Sequence, residues 1–265
     1  HRDLHSFPTR RSSDLKKVAE GADALVFDVK SGPGAFMKTV EDAERLASSL
    51  VRTGQAMGKR IVGVITDMTE PLGTKVGNFF EVEESIDCLR GAGPADLMEV
   101  TYRLSAWMLV AGGLVSNVDE GLARCREAVA SGKAWDLFVR NVKTQGGDVD
   151  RMMQLYGTYR SAHSRQLLAP SAGYIQSIDA YKIGLAGVYL GVGRNKTSDP
   201  VAPDVGFIFG RRKGDKVAAG DPVATVYGKD AASLDAAWPL VSGSLVLGPS
   251  VPAETPLVIK EITAL

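Results

Sequence analysis

The 265-residue sequence holds little that would mark a metal centre or a disulfide scaffold: two cysteines, Cys88 and Cys125, and three histidines. The cysteines form no Cys-x-x-Cys pair and have no histidine beside them, which argues against a zinc site of ordinary ligand spacing. Both read as buried free thiols in a reducing compartment. An excess of either charge is also missing, since Lys+Arg and Asp+Glu number 31 each. Neither nucleic acid nor an anionic membrane surface is therefore expected as the main partner, because each needs a basic face. No apolar run reaches the length of a membrane span, and the N-terminus lacks an apolar core of the secretory kind. The expectation is a cytoplasmic chain with no membrane partner.

What is present is ordinary for a globular protein: 45% hydrophobic and 23% charged residues, enough for one large domain or two smaller ones. The first fourteen residues, HRDLHSFPTRRSSD, have no usable period and carry two of the three histidines. They read as a scar foreign to the fold, ending where an amphipathic pattern begins at Leu15.

Leu15 to Gly21 reads as a helix end, with Gly21 as the stop. Ala24 to Val29 is a short apolar run of the buried-strand type, followed by the breaker-rich loop Lys30-Ser-Gly-Pro-Gly-Ala-Phe36. From Thr39 the period turns helical, with Thr39 as cap, Asp42 three residues on, and Ala43, Leu46, Ala47, Leu50 and Val51 on one face. Gly58 closes that helix, and Arg60 to Thr66 is a second buried strand. Strand, loop, helix, strand predicts a parallel βαβ unit. A second loop, Asp67 to Gly73, leads into a helix from about Asn78 to Arg90. Ligands in open α/β sheets bind beyond the carboxyl ends of the strands, so both loops are nominated as the site.

Pro94 to Arg165 is largely helical, with Leu97, Val100, Thr101, Leu104 and Met108 on one face and a further helix from about Asp119 to Ala130. Trp107 and Trp135 read as core, and His163 as a solvated loop residue. After Leu168 the composition shifts to dense glycine and proline with short β-branched runs such as Tyr174 to Ile178 and Val223 to Tyr227. The expected fold class is α/β: a parallel βαβ sheet with helices, then a helical segment, then a smaller C-terminal α+β lobe. The corresponding boundaries are 1–14 (scar), 15–115 (α/β domain), 116–168 (helical connection) and 169–265 (C-terminal lobe). Gly214 to Val223 resembles the hairpin of biotinyl-type domains, without the Met-Lys-Met turn that carries biotin. Gly191-Val-Gly193-Arg194 lacks the third glycine and the βαβ context of a dinucleotide fingerprint and reads as a helix-to-loop turn.

Read together, the motifs are more specific. Lys16-Lys17-Val-Ala-Glu-Gly21, Asp28-Val-Lys30 with Gly34-Ala-Phe36-Met37, Thr66-Asp67-Met68 with Pro71-Leu72-Gly73, and Val76-Gly77-Asn78 follow one another without large gaps. Ala111-Gly112-Gly113, Leu190 to Arg194 and Gly214 to Gly220 continue the series. This order resembles the thymidine and pyrimidine-nucleoside phosphorylase family from Leu15 nearly to the end. The resemblance implies phosphorolysis: phosphate, as co-substrate, displaces the pyrimidine from C1′ of a (deoxy)ribose, and the departing base must be stabilised as it gains negative charge.

The resemblance also implies site residues. Lys16, just before the Ala-Glu-Gly helix end, matches the lysine at the pyrimidine carbonyls, with Lys17 one register away; its alternative is a solvated surface lysine. Phe36 either approaches the nucleoside or packs in its loop. Some relatives hold a monovalent cation, and the matching ligands are the main-chain oxygens of Leu72 and Lys75 and the carboxylate of Glu84. Carbonyls with one carboxylate suit potassium rather than zinc. Lys75 stands where relatives often have a small residue, and an ordinary solvated glutamate is the alternative for Glu84. The family's other pyrimidine-binding groups and its phosphate loop lie upstream of Leu15, so this stretch by itself is expected to be inactive, and relatives of this kind are homodimers. Two other readings stand beside this one: a non-enzymatic relative that binds a nucleoside or a protein, and a transferase of the anthranilate phosphoribosyltransferase type. The C-terminal lobe disfavours the last.

Overall fold

The computed structural model describes residues 21–194 and 200–264. Lys16, Lys17 and the first fourteen residues lie outside the described residues.

Strand β1 (Ala24–Ser31) and β2 (Arg60–Asp67) are parallel in unbroken register, joined through helix α1 (Val40–Ala56). The predicted cap holds: Thr39 Oγ1 accepts from the Asp42 amide at 3.2 Å, and Ala43, Ala47 and Val51 are buried. Phe27 and Val29 face α1, whereas Ala24 and Val26 face helix α3 (Ala95–Ala111), so helices cover both sides of the sheet. The third strand of this sheet is β10 (Val258–Ala264), antiparallel to β2. The chain's last strand therefore leaves the C-terminal lobe and completes the first sheet. Arg103 and Trp107 of α3 hold it by donating to the Glu261 carboxylate at 2.5–2.8 Å.

Between these lie β3 (Lys75–Val76), α2 (Asn78–Leu89), and, after α3, helices α4 (Val118–Ala130), α5 (Lys133–Thr144) and α6 (Val149–Leu155). The buried face of α3 is the predicted one only in part, at Val100 and at Leu104, which packs against the sheet core. Val100, Ala106 and Ala111 are buried, while Thr101 and Met108 are exposed. The reason is that α3 serves two neighbours, the sheet and α4, whose Gly121 lies so close that a Cβ there would sit 2.9 Å from Ala106. Trp107 packs as core, but Trp135 is half-buried on α5, a helix with no buried residue, under the Arg90 guanidinium. Cys88 and Cys125 are free thiols, both half-buried, and burial raises both, Cys88 to about 11.

The lobe begins earlier than its composition suggests. Strand β4 (His163–Leu168) makes His163 the exposed first residue of a strand rather than a loop residue, and β4 pairs with β8 (Pro222–Gly228). One sheet runs β3-β6-β8-β4, with β6 at Gly206–Phe209; the other runs β7-β5-β9, with β5 at Gly173–Ile178, β7 at Lys216–Val217 and β9 at Leu245–Gly248. Flanking β7 and β8 thus belong to different sheets and form no hairpin with each other. Helices α7 (Ala180–Leu190) and α8 (Ala231–Ser242) close the lobe core around Ile175, Ile183, Phe207 and Val226. Helix α7 ends at Gly191, as predicted. None of the described helices is long and apolar enough to cross a membrane.

Candidate functional site

The two nominated loops leave β1 and β2 at the same end of the sheet and pack backbone against backbone. The Met68 amide donates to Ser31 O at 2.7 Å, and the Gly34 amide donates to Met68 O at 3.1 Å. Gly32 has φ +133°, and a Cβ there would lie 2.9 Å from the Met68 carbonyl carbon, so only glycine allows this approach. The second loop is pinned on its far side by the Ala180 amide at the start of α7, which donates to Thr69 O at 3.2 Å. At the strand ends, buried Thr66 donates to Asp28 at 2.5 Å, and Asp28 pairs with Lys30 at 2.8 Å. Lys30, Met68, Leu72, Lys75 and Glu84 border a cleft of about 400 Å³.

Glu84 is 3% exposed. It is thus not the solvated member of an acidic run, and neither is Glu83, which is wholly buried. Helix α2 buries Phe80, Glu83, Glu84 and Ile86, whereas Val82 is only half-buried. Glu84 reaches back to the loop: its Oε1 accepts from the Thr74 amide at 2.6 Å and from Thr74 Oγ1 at 2.5 Å. Gly73, at φ +77°, lies directly beneath, and a Cβ on it would meet Glu84 Oε2 at 2.2 Å. Burial raises the Glu84 carboxyl, against the opposing pull of the Thr74 bonds and the Lys75 charge.

The Lys75 side chain turns away from the loop. Its Nζ lies 3.0 Å from Asp87 and 3.7 Å from Glu83. The loop segment 72–75 thus has its main chain beside one buried carboxylate, with its lysine charge directed elsewhere. The Glu84 oxygen on this side is met by the Thr74 amide and hydroxyl. Phe36, by contrast, is 99% exposed, so the packed alternative does not hold and its ring is free for contact.

Sequence reasoning passed over the groups that hold this site in place. The Gly73 amide donates to Asp96 at 3.0 Å, and Asp96 receives both terminal nitrogens of Arg212 from the C-terminal lobe. Glu83 receives two nitrogens of Arg160, which lies just before β4. Neither pairing leaves a local signal, because the partners are 116 and 77 residues apart in the chain. Asp96 in the first turn of a helix and Arg212 in a basic turn look like ordinary surface charges.

Glu70 was also missed. It borders the cleft and the larger cavity of about 670 Å³ next to it, and its buried Oε1 has no partner among the described residues. Burial raises its carboxyl, more than Lys213 and Arg212 lower it. With the folded pKa above the unfolded one, the native state binds more protons than the unfolded chain across the interval between them, so stability falls as pH rises through it. Glu70→Gln should therefore be more stable than wild type at about pH 8, and the gain should vanish at about pH 3, where the carboxyl is protonated in both states. Urea midpoints at the two pH values check this; equal midpoints at the higher pH would refute it.

Comparison with known proteins bears on the same residues. Residues 14–135 match the family described as glycosyl transferase family, a/b domain, and residues 174–247 match the pyrimidine nucleoside phosphorylase C-terminal domain. The chain is 41% identical over 225 residues to the pyrimidine-nucleoside phosphorylase of Bacillus subtilis, covering 84% of this chain and 52% of that protein. The Staphylococcus aureus pyrimidine-nucleoside phosphorylase is 38% identical with the same coverage. The chain thus spans about half the length of these curated relatives. With two separate stretches matched and 84% of the chain aligned to these relatives, the chain belongs to the pyrimidine-nucleoside phosphorylase family.

Proposed function

We propose that this chain forms the part of a pyrimidine-nucleoside phosphorylase that receives the nucleoside and ties it to a cation-ordered loop. The observation that carries this reading is the buried Glu84 seated on Gly73 and Thr74, at the carboxyl end of the parallel strands. The reaction is phosphorolysis of a pyrimidine nucleoside to the free base and (deoxy)ribose 1-phosphate, with phosphate as co-substrate. Lys16 stabilises the departing base, and Phe36 contacts the nucleoside from the first loop. The complete protein is a cytoplasmic homodimer.

The test is a chimaera in which residues 15–265 replace the matched stretch of the Bacillus subtilis relative. Phosphate-dependent release of uracil or thymine is expected. A folded chimaera that binds nucleoside but releases no base would favour the non-enzymatic reading instead.

In this reading potassium sits on the main-chain oxygens of Leu72 and Lys75 and on Glu84. A ligand held only by the native state adds stability with its concentration. In the chimaera, Glu84→Gln should remove the gain in melting temperature that potassium chloride gives over tetramethylammonium chloride, with the fold intact by circular dichroism. A wild-type melting temperature indifferent to that exchange would sink the cation assignment.

A further inference from the structure

The second loop begins in one sheet and ends in another. It leaves β2 at Asp67, and at Lys75–Val76 it becomes β3, paired to β6 in the sheet of the C-terminal lobe. The pairing is close, since a Cβ on Gly206 would meet Val76 O at 1.9 Å. The end of the loop is therefore seated on the lobe, although its start belongs to the parallel sheet.

A trans peptide is planar, so its N–H and C=O point in opposite directions and whatever holds one aims the other. The described peptide bonds are all trans. The Gly73 amide shares a peptide with the Leu72 carbonyl, and it donates to Asp96 at 3.0 Å. Asp96 borders the larger cavity, whereas Glu84 borders the cleft and Leu72 borders both. The Leu72 oxygen is therefore turned off the Asp96 side. The Lys75 oxygen is aimed by the lobe itself. Phe209 donates its amide to Thr74 O at 2.8 Å, which makes the next pair, Lys75 and Ile208, a non-hydrogen-bonded one of the antiparallel ladder. The main-chain groups of Lys75 face away from β6.

Asp96 opens α3, and it is gripped from the lobe. Arg212, in the turn between β6 and β7, donates Nη1 to one Asp96 oxygen at 3.0 Å. Its Nη2 donates to the other, the same oxygen that takes the Gly73 amide. Such a fork fixes the plane of the carboxylate, where a single-point contact would let it turn. The arginine is held in its own turn: its amide donates to the Asp215 carboxylate at 2.8 Å, and its carbonyl accepts from the Asp215 amide at 3.0 Å. With 18% of the Asp96 side chain and 30% of the Arg212 side chain exposed, the pair is partly sheltered from the screening that weakens surface ion pairs. We propose that Arg212 is a positioning residue for the candidate site: acting through Asp96 and the Gly73 amide, it aims the Leu72 carbonyl, so that the lobe governs how the loop receives its ligand. The aiming rests on these hydrogen bonds, and only its effect on potassium rests on the cation reading above.

The test uses the chimaera and two readouts. Arg212→Leu should speed amide hydrogen exchange at Gly73 by about tenfold or more, with Val64 in the middle of β2 little changed. It should also raise, by about tenfold, the potassium concentration that gives half the gain in melting temperature over tetramethylammonium. An arginine with only a structural role would lower the melting temperature alike in both salts and leave that concentration where it was. Arg212→Lys, which keeps the charge but not the fork, should recover part of both effects. Asp96→Ala should match Arg212→Leu, and the double variant should add little to either, since the two act in series. Arg165→Ala is the control, because it breaks a lobe ion pair with Asp235; a like effect there would reduce the result to a loss of charge and overturn the proposal. If Arg212→Leu does not fold, Arg212→Lys against wild type decides alone. Unchanged exchange at Gly73, or faster exchange with the potassium concentration unmoved, overturns the proposal. A wild type indifferent to potassium removes the cation reading instead, and exchange at Gly73 then decides the positioning by itself.

Discussion

Arg160→Ala should destabilise the protein by about 3 kcal/mol or more, the cost of stranding a buried charge. Glu83 is 0% exposed and sits inside α2, where no water reaches its carboxylate. Arg160 answers both of its oxygens, at 2.8 and 2.5 Å, and the Gly157 amide donates to the first at 2.9 Å. Lys75, at 3.7 Å, is too far to form a hydrogen bond and is held closer to Asp87, whose other oxygen accepts from Tyr156. Without the guanidinium, the carboxylate keeps one amide and a distant ammonium. The Arg160→Ala, Glu83→Leu double variant should lose clearly less than the sum of the single losses, because one partner's removal relieves the other. Urea unfolding of the four proteins measures this. A loss within about 0.5 kcal/mol for Arg160→Ala would mean that the pair carries no net stability, as for an exposed ion pair.

That network also explains why the site holds its shape. Lys75 lies in β3, Glu83 and Asp87 in α2, and Arg160 at the entry to the C-terminal lobe. The Asp96–Arg212 pair does the same on the other side of the second loop, through the Gly73 amide. A loop built mostly of small and polar residues has little apolar area of its own to bury. Its conformation is instead fixed by charges reaching in from a helix and from the distant lobe.

What the sequence disclosed and what it hid divide along the same line. The β1–α1–β2 unit is legible because each element carries its own period, and the Thr39 cap because Asp42 lies three residues away. The two loops are legible from their glycines, whose need shows in the Gly32 approach to Met68. Partner choice is not local. Nothing in Val258–Ala264 says that it pairs with a strand two hundred residues earlier, nor in Lys216–Val217 that it avoids the neighbouring β8. The burial of Glu83 and Glu84 is not legible either, because it depends on partners that periodicity cannot see, Arg160 for one and the Thr74 loop for the other. The α3 stripe was misplaced in part for a related cause. A helix with two packing neighbours has no single apolar face, and Met108 is left outside.

Lys16→Ala, in the chimaera that tests the catalytic reading, should lower kcat/KM by about 100-fold, the usual loss when a charge-stabilising donor is removed. Lys16 lies outside the described residues, so the expectation rests on the family assignment and on the chemistry of the leaving group. A pyrimidine leaving C1′ takes the bonding electrons with it, and negative charge collects on its ring carbonyls as the bond breaks. An ammonium at a carbonyl gains little in the ground state, where that oxygen is neutral, and much in the transition state. The loss should therefore fall mainly on kcat, with KM changed far less, because the interaction strengthens only as the bond breaks. A substrate whose base is a better leaving group, such as a 5-halogenated uridine, needs less of this help, so the mutant should recover part of its rate on it. A structural lysine would show no such dependence on the leaving group. Lys17→Ala is the control for register: a full effect there with a neutral Lys16→Ala moves the role by one residue. If neither substitution alters kcat on either substrate, this stretch does not carry the base site.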